Sequence, residues 1–254
     1  SIPTICWHWR VPTEEPDTPN TRGPVEEDED EELTFNANET DFNCDKATMP
    51  GTWENGVVNA DLEKVAGYLK LLQDAGIPVL FRPLHEAAGD FGWGPWFWWG
   101  NSGTEATKKL WIYIHDKFTK EYGLNNLIWV WTMQTLDKNQ LANASKIATT
   151  YPGDDYVDIV GADIYAKDVL GDQTQAFNLI KQAVSGRKMV ALCECGNLTD
   201  PEIAARNGAL WSYFMQWYDI KQGKPGFYNY AGPEQWKKVA ASKYVLNRGS
   251  LKLK

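Results

Sequence analysis

The sequence predicts an α/β fold of the (β/α)8 TIM-barrel type, with six of the eight strand–helix units visible in its 254 residues. Three observations lead there. Short apolar runs alternate with amphipathic helical patterns, the signature of repeated β/α units around a parallel sheet. The runs are continuously apolar rather than alternating, as in strands buried on both faces. Chemically active side chains collect at the carboxyl ends of the runs, where parallel barrels carry their sites.

The first strand is expected from Thr4 to Trp9. A polar, acidic segment rich in Pro, Asn and Thr follows, from Arg10 to Gly56. It reads as a long loop insertion (10–56) above the barrel, a wall of a cleft rather than a separate domain. Its densest stretch, Glu26-Glu27-Asp28-Glu29-Asp30-Glu31-Glu32, lacks the glycine turns that space calcium ligands and reads as a solvated, self-repelling loop. Leu62, Val65, Ala66, Leu69 and Leu72 then keep helical spacing, with Asn59 as an N-cap candidate and Gly76 just past the end.

A strand from Ile77 to Glu86 comes next, then a helix marked by Leu110, Trp111, Ile114 and Phe118 and closed by Gly123. Strands are expected at Asn126–Thr132 and Val157–Tyr165, and a helix through Ala176, Phe177, Ile180 and Val184 before Gly186. Lys188–Cys195 and Ala209–Trp217 supply the last two strands. Pro233 to Asn247 forms a final helix with Trp236, Val239, Ala240 and Tyr244 on one face. Nothing precedes the first strand to pair with it. Either two N-terminal units are absent from the chain as given or a second chain supplies them. An open six-stranded sheet ranks last, because its apolar edge would invite aggregation. The whole chain, 1–254, is expected to form one catalytic barrel.

A net charge of −9 and a pI near 4.9 argue against nucleic acid or an anionic membrane as partner. A neutral polysaccharide is compatible with such a surface. No apolar run reaches transmembrane length, and no leader is visible at the start, as in a mature or trimmed form. Four cysteines are too few for a disulfide scaffold. A bridge between Cys6 and Cys44 is left open, while Cys193 and Cys195, flanking Glu194, read as small buried groups. Tryptophan is enriched several-fold, and Trp93, Trp96, Trp98 and Trp99 lie among glycines and a proline. That setting suggests partly exposed binding surface.

The chemistry concentrates at two strand ends. Val79-Leu80-Phe81-Arg82-Pro83-Leu84-His85-Glu86 lifts a carboxyl toward the tryptophan cluster, and Met189-Val190-Ala191-Leu192-Cys193-Glu194-Cys195-Gly196 supplies a second. One strand-end glutamate is a weak signal, since Arg82 could simply pair with it. Two are stronger, because retaining glycosidases need two carboxyls roughly 5 Å apart, one as acid/base and one as nucleophile. The acid must stay protonated near neutrality, which desolvation or a neighbouring anion promotes. Indoles would stack on sugar faces and exclude water. His8, Tyr165 and Trp217 stand at three further strand ends. Other chemistries fit worse. His85-Glu86-Ala87-Ala88-Gly89 starts like a zinc-protease helix, but Gly89 stands where the second histidine must be. A three-histidine metal site would need His8, His85 and His115 together, and His115 reads as solvated on the polar side of its helix. No serine-hydrolase elbow, phosphate loop or dinucleotide glycine pattern is present.

Phe81-Arg82-Pro83-Leu84-His85-Glu86-Ala87-Ala88-Gly89 followed by Trp96-Phe97-Trp98-Trp99-Gly100 resembles the acid/base segment of family 26 glycoside hydrolases, mostly endo-β-1,4-mannanases. Gly161-Ala162-Asp163-Ile164-Tyr165 and Leu192-Cys193-Glu194-Cys195-Gly196 resemble that family's later strands, in the same order. The resemblance runs from about Ile5 to the C-terminus. It implies a barrel seen from strand three to strand eight, with Glu86 as acid/base and Glu194 as nucleophile of a double displacement. It places His8, His85, Trp96, Tyr165 and Trp217 around the sugar beside the cleaved bond, with Tyr165 hydrogen-bonding Glu194. Because 90–95 looks inserted, Trp93 competes for the place of Trp96; Trp211 competes more weakly for that of Trp217. The implied activity is cleavage of mannan, glucomannan or galactomannan by a secreted or periplasmic enzyme with no metal or organic cofactor. The same family includes β-1,3-xylanases and mixed-linkage glucanases, and a non-catalytic carbohydrate-binding barrel is the alternative of a different class.

Overall fold

The computed structural model describes residues 2–16, 33–87, 94–133, 148–165, 173–217, 233–247 and 249. The acidic run 26–32 and Trp93 lie outside the described residues. The chain divides into two compact units, residues 2–131 with 149–158 and residues 132–148 with 159–254.

The first unit is built on three parallel strands. β1 (Thr4–Cys6) is followed by β2 (Val11–Pro12) and β3 (Leu33–Thr34), a short antiparallel pair within the long loop. Next come α1 (Trp53–Asp74), β4 (Val79–Arg82), α2 (Thr104–Asp116) and β5 (Leu127–Met133). β4 lies between its neighbours, pairing Ile5 with Phe81 on one side and Leu80 with Ile128 on the other. α1 starts six residues before its expected cap. Thr52 caps it, its hydroxyl accepting from the Asn55 backbone N–H at 3.2 Å. Asn59 instead lies inside the helix, bonding Asn55 and accepting from the Tyr113 hydroxyl. Gly76, at φ 67°, releases the chain toward β4.

α2 runs on as one π-turn, Lys117–Glu121, and stops before Gly123. Its His115 is not solvated as expected. It is half-buried, with its ring 4.9 Å from that of Trp129 and 5.1 Å from that of Tyr156. The core of this unit is aromatic, formed by Trp9, Trp98, Trp99, Trp111, Phe42, Phe81 and Phe118.

The second unit repeats the plan. β6 (Ile159–Ile164), α3 (Thr174–Ala183), β7 (Met189–Cys195), α4 (Pro201–Arg206), β8 (Phe214–Gln216) and α5 (Pro233–Ala241) follow in order, with the three strands parallel. Phe177 and Ile180 of α3 are buried on its inner face. α4 was not anticipated, because six residues are too few to show a period. Its start is nonetheless written locally: Asp200 accepts from the N–H groups of Glu202 and Ile203, and Pro201 opens the first turn. α5 ends six residues short of its expected limit and buries only Val239 of the four expected contacts; Trp236 is 41% exposed. Gly161 is required by packing, since a Cβ there would meet Cys193 Sγ at 2.3 Å and the Ala191 carbonyl oxygen at 2.8 Å.

Among the described residues the six expected parallel strands are therefore present, but several are shorter than their apolar runs. Thr4–Trp9 contracts to Thr4–Cys6, Ile77–Glu86 to Val79–Arg82 and Ala209–Trp217 to Phe214–Gln216. His8, Glu86 and Trp217 thus stand just beyond their strands instead of on the last rung. Among the described residues no helix is long and apolar enough to cross a membrane.

Candidate active site

In the first unit, β4 ends in an unusual turn. Leu84 and Glu86 have φ of 52° and 51°, the left-handed region that side chains with a Cβ avoid. Each costs on the order of 1 kcal/mol. The surroundings hold the turn in place. Leu84 is buried, Trp99 Nε1 donates to the His85 carbonyl at 2.8 Å, and Trp96 Nε1 donates to Glu86 Oε2 at 2.9 Å. Glu86 lies past the last rung of the strand at Arg82 and is 8% exposed, with its carboxyl at the Trp96 indole N–H.

Gly100 makes this approach feasible: a Cβ there would lie 2.0 Å from the Ala87 carbonyl oxygen. Gly100→Ala is therefore expected to destabilise the fold by about 1–3 kcal/mol, read as a lowered thermal midpoint. A midpoint equal to that of the parent would show that the turn after Glu86 yields without cost.

The tryptophans divide by role, and this corrects the expectation of a shared binding surface. Trp98 and Trp99 are fully buried. Trp98 Nε1 donates to the Trp9 carbonyl at 2.8 Å, and Trp9 Nε1 in turn donates to Asp61 at 2.7 Å. They are core rings whose polar edges satisfy loop carbonyls. Trp96 is the half-buried one. The described part of the long loop braces it, through Ala37 N–H to the Trp96 carbonyl and Trp98 N–H to the Phe35 carbonyl.

His8 and His85 meet beside this turn, with ring centroids 4.6 Å apart. His85 is buried against Phe97 and Trp99, whereas His8 is exposed at its outer side. Burial first, then the Arg82 and His8 charges, hold the His85 imidazole well below its usual range, so it is neutral near pH 7. Cys6 Sγ lies 3.4 Å from His85 Nδ1. Neither Cys6 nor Cys44 takes part in a disulfide, so no bridge joins them. Cys44 instead donates to the Trp99 carbonyl, and burial followed by Asp45 pushes its thiol up to about 12.

In the second unit, Glu194 is 4% exposed near the end of β7. A register irregularity between Ala162 and Asp163 sets Asp163 opposite Glu194, and their carboxylate oxygens lie within 4.8 Å. Bulges of this kind re-aim side chains at site rims. The Tyr165 hydroxyl donates to Glu194 Oε2. Trp217 follows β8 and donates its backbone N–H to the Cys195 carbonyl at 2.9 Å, which keeps it one strand from Glu194. Trp211 packs edge-on against Phe177 of α3 before β8 begins. Cys193 and Cys195 are buried, as expected, and burial together with Asp163 and Glu194 pushes the Cys195 thiol up to about 12.

The site residues expected from sequence thus form two groups. Glu86, His8, His85 and Trp96 gather in the first unit, and Glu194, Tyr165 and Trp217 in the second. Sequence reasoning missed Phe97, which packs on both histidines, and Asp163, although both lie inside the motifs quoted for other reasons.

The model of the family described as glycosyl hydrolase family 26 matches residues 1–250. A mannan endo-1,4-beta-mannosidase B of Piromyces sp is 36% identical over 216 residues, 85% of this chain and 32% of that protein. The chain thus spans about a third of that relative's length. Among solved structures, a beta-mannanase from a symbiotic protist of the termite Reticulitermes speratus, complexed with gluco-manno-oligosaccharide, is 42% identical. It matches with a TM-score of 0.76 over 98% of this chain and 68% of its own. A ruminal GH26 endo-beta-1,4-mannanase is 28% identical, with a TM-score of 0.82 over 100% of this chain and 52% of its own. The fold class expected from the sequence holds: the chain carries part of a (β/α)8 barrel.

Proposed function

This chain belongs to glycosyl hydrolase family 26, and on that premise we propose that it is the catalytic part of a retaining endo-β-1,4-mannanase acting on mannan, glucomannan or galactomannan. The observation that carries the reading is the setting of the two glutamates. Each is buried at or just past the end of a parallel strand, and each accepts a hydrogen bond from an aromatic side chain, Trp96 for Glu86 and Tyr165 for Glu194.

In this mechanism Glu194 attacks the anomeric carbon while the glycosidic C–O bond breaks and Glu86 passes its proton to the leaving oxygen. Water then attacks the glycosyl ester, giving a proton back to Glu86 and releasing Glu194 as carboxylate. Trp96 and Trp217 offer apolar faces for sugar rings. His85, neutral and held by its neighbours, and His8 supply hydrogen bonds to hydroxyls. Tyr165 acts through Glu194 as a positioning residue. Because the substrate is a polymer, the reading places the enzyme outside the cytoplasm, secreted or periplasmic.

Side-by-side assays on mannan, glucomannan, galactomannan, β-glucan and xylan, with NMR of the first-formed anomer, test the proposal. Mannan-type hydrolysis with retained β-configuration is expected. Inversion, preference for β-glucan or xylan, or binding without cleavage would overturn it. Tyr165→Phe removes one charge-assisted hydrogen bond and is expected to lower kcat by roughly 10- to 100-fold with little change in KM. A rise in KM alone would assign Tyr165 to substrate instead.

A further inference from the structure

Cys6, His8 and His85 converge at the ends of two adjacent strands. β1 and β4 run parallel with Cys6 opposite Arg82, so His8 and His85 leave the same end of adjacent strands. One ligand atom from each of the three side chains lies within 4.8 Å of the others, and Cys6 Sγ is already 3.4 Å from His85 Nδ1. Donors around a tetrahedral zinc ion stand roughly 3.3–3.8 Å apart, given metal–nitrogen and metal–sulfur bonds near 2.0 and 2.3 Å. The remaining adjustment is on the order of an ångström, and His8, on the exposed side, has rotamer room to make it.

We propose that Cys6, His8 and His85 form a binding site for a zinc-class divalent cation, and that an ion seated there blocks the adjoining sugar site. One sulfur and two imidazoles suit zinc, copper or cadmium and not calcium or magnesium, which require oxygen. Coordination releases the Cys6 thiol proton to solvent and breaks no other bond. The half-exposed position of Cys6 leaves room for a fourth ligand, water. Among the described residues Cys6 is the only cysteine so placed. Cys44, Cys193 and Cys195 are buried, and their sulfurs contact the Trp99 carbonyl, the Tyr213 hydroxyl and the Met215 carbonyl. His85 is fixed in advance, its ring 4.8 Å from Phe97 and 5.7 Å from Trp99. The three-histidine set weighed from sequence does not form, because His115 lies against Trp129 and Tyr156. The cation is an inhibitor here, with no part in the reaction.

The binding claim stands on these three side chains; the blocking claim rests on the proposed role of His8 and His85 at the sugar. Zinc chloride titrated calorimetrically into the chain is expected to show one ion bound per chain. Cys6→Ser and His8→Ala are each expected to weaken it by roughly 100-fold or more, since even outer-shell partners of metals are worth 10- to 100-fold. Cobalt(II) in place of zinc should show a near-ultraviolet thiolate charge-transfer band that Cys6→Ser lacks. Absence of saturable binding, or binding unchanged in both variants, overturns the site. Competition by mannohexaose against zinc is expected. Zinc binding that mannohexaose leaves untouched would overturn the blocking claim and the sugar-contacting role of the histidines while leaving the metal site standing.

Discussion

Glu194→Ala should reduce mannan turnover by on the order of 10⁴-fold or more while affinity for mannohexaose persists. In the proposed mechanism Glu194 is the covalent nucleophile, so its removal takes away the intermediate that divides the reaction into two feasible steps, and nucleophile deletions in other hydrolases cost this much or more. The carboxyl sits on β7, 4% exposed, with Tyr165 donating to it, so its orientation is set before substrate arrives. Asp163 is a second carboxyl in the same unit, fully buried and within 4.8 Å. It belongs to a different strand, and a displacement of an ångström costs about 100-fold in effective reactivity, so it should not rescue the variant. Initial rates beside calorimetric binding of mannohexaose decide the matter. If the alanine variant keeps a tenth of the parent rate, Glu194 is not the nucleophile.

Glu86→Ala should separate substrates by leaving group. General acid catalysis contributes about 10²- to 10⁴-fold where the departing oxygen is a poor leaving group. Mannohexaose turnover should fall by that much, whereas an aryl mannoside with an acidic phenol needs little protonation and should lose far less in the glycosylation step. The structure adds a control. Alanine at φ 51° retains the backbone strain of Glu86 but forfeits the bond from Trp96, so part of any loss could come from a shifted turn. A thermal midpoint near that of the parent would exclude that route. Equal losses on both substrates in a well-folded variant would contradict the acid/base role.

Much of this was legible along the chain because parallel strands buried on both faces announce themselves as unbroken apolar runs. Val79–Arg82, Ile159–Ile164 and Met189–Cys195 fall inside expected strands, and Leu127–Met133 overruns its expected strand only at Met133. Helix ends marked by Gly76, Gly123 and Gly186 were equally visible, since positive φ at those positions favours glycine. The misreadings have physical causes. Asn59 looks like a cap because apolar periodicity starts after it, but the helix is capped earlier, by Thr52 inside the polar loop. Trp98 and Trp99 were read by their Gly and Pro neighbours, which describe a local loop and say nothing about what that loop packs against. His115 was judged by its helix face, yet aromatic rings from Trp129 and Tyr156 cover it.

By itself the sequence determined the α/β class, the succession of units, the family and the identity of both candidate carboxyls, because these depend on residue type and spacing. Tertiary structure alone decided that Glu86 stands on a left-handed turn pinned by Trp96 and Trp99, that Asp163 faces Glu194 across a register shift, and that Cys6 joins two histidines. Those facts depend on which atoms meet across strands, and contacts between residues as far apart as Cys6 and His85 arise only when hydrogen-bonded strands bring their ends side by side.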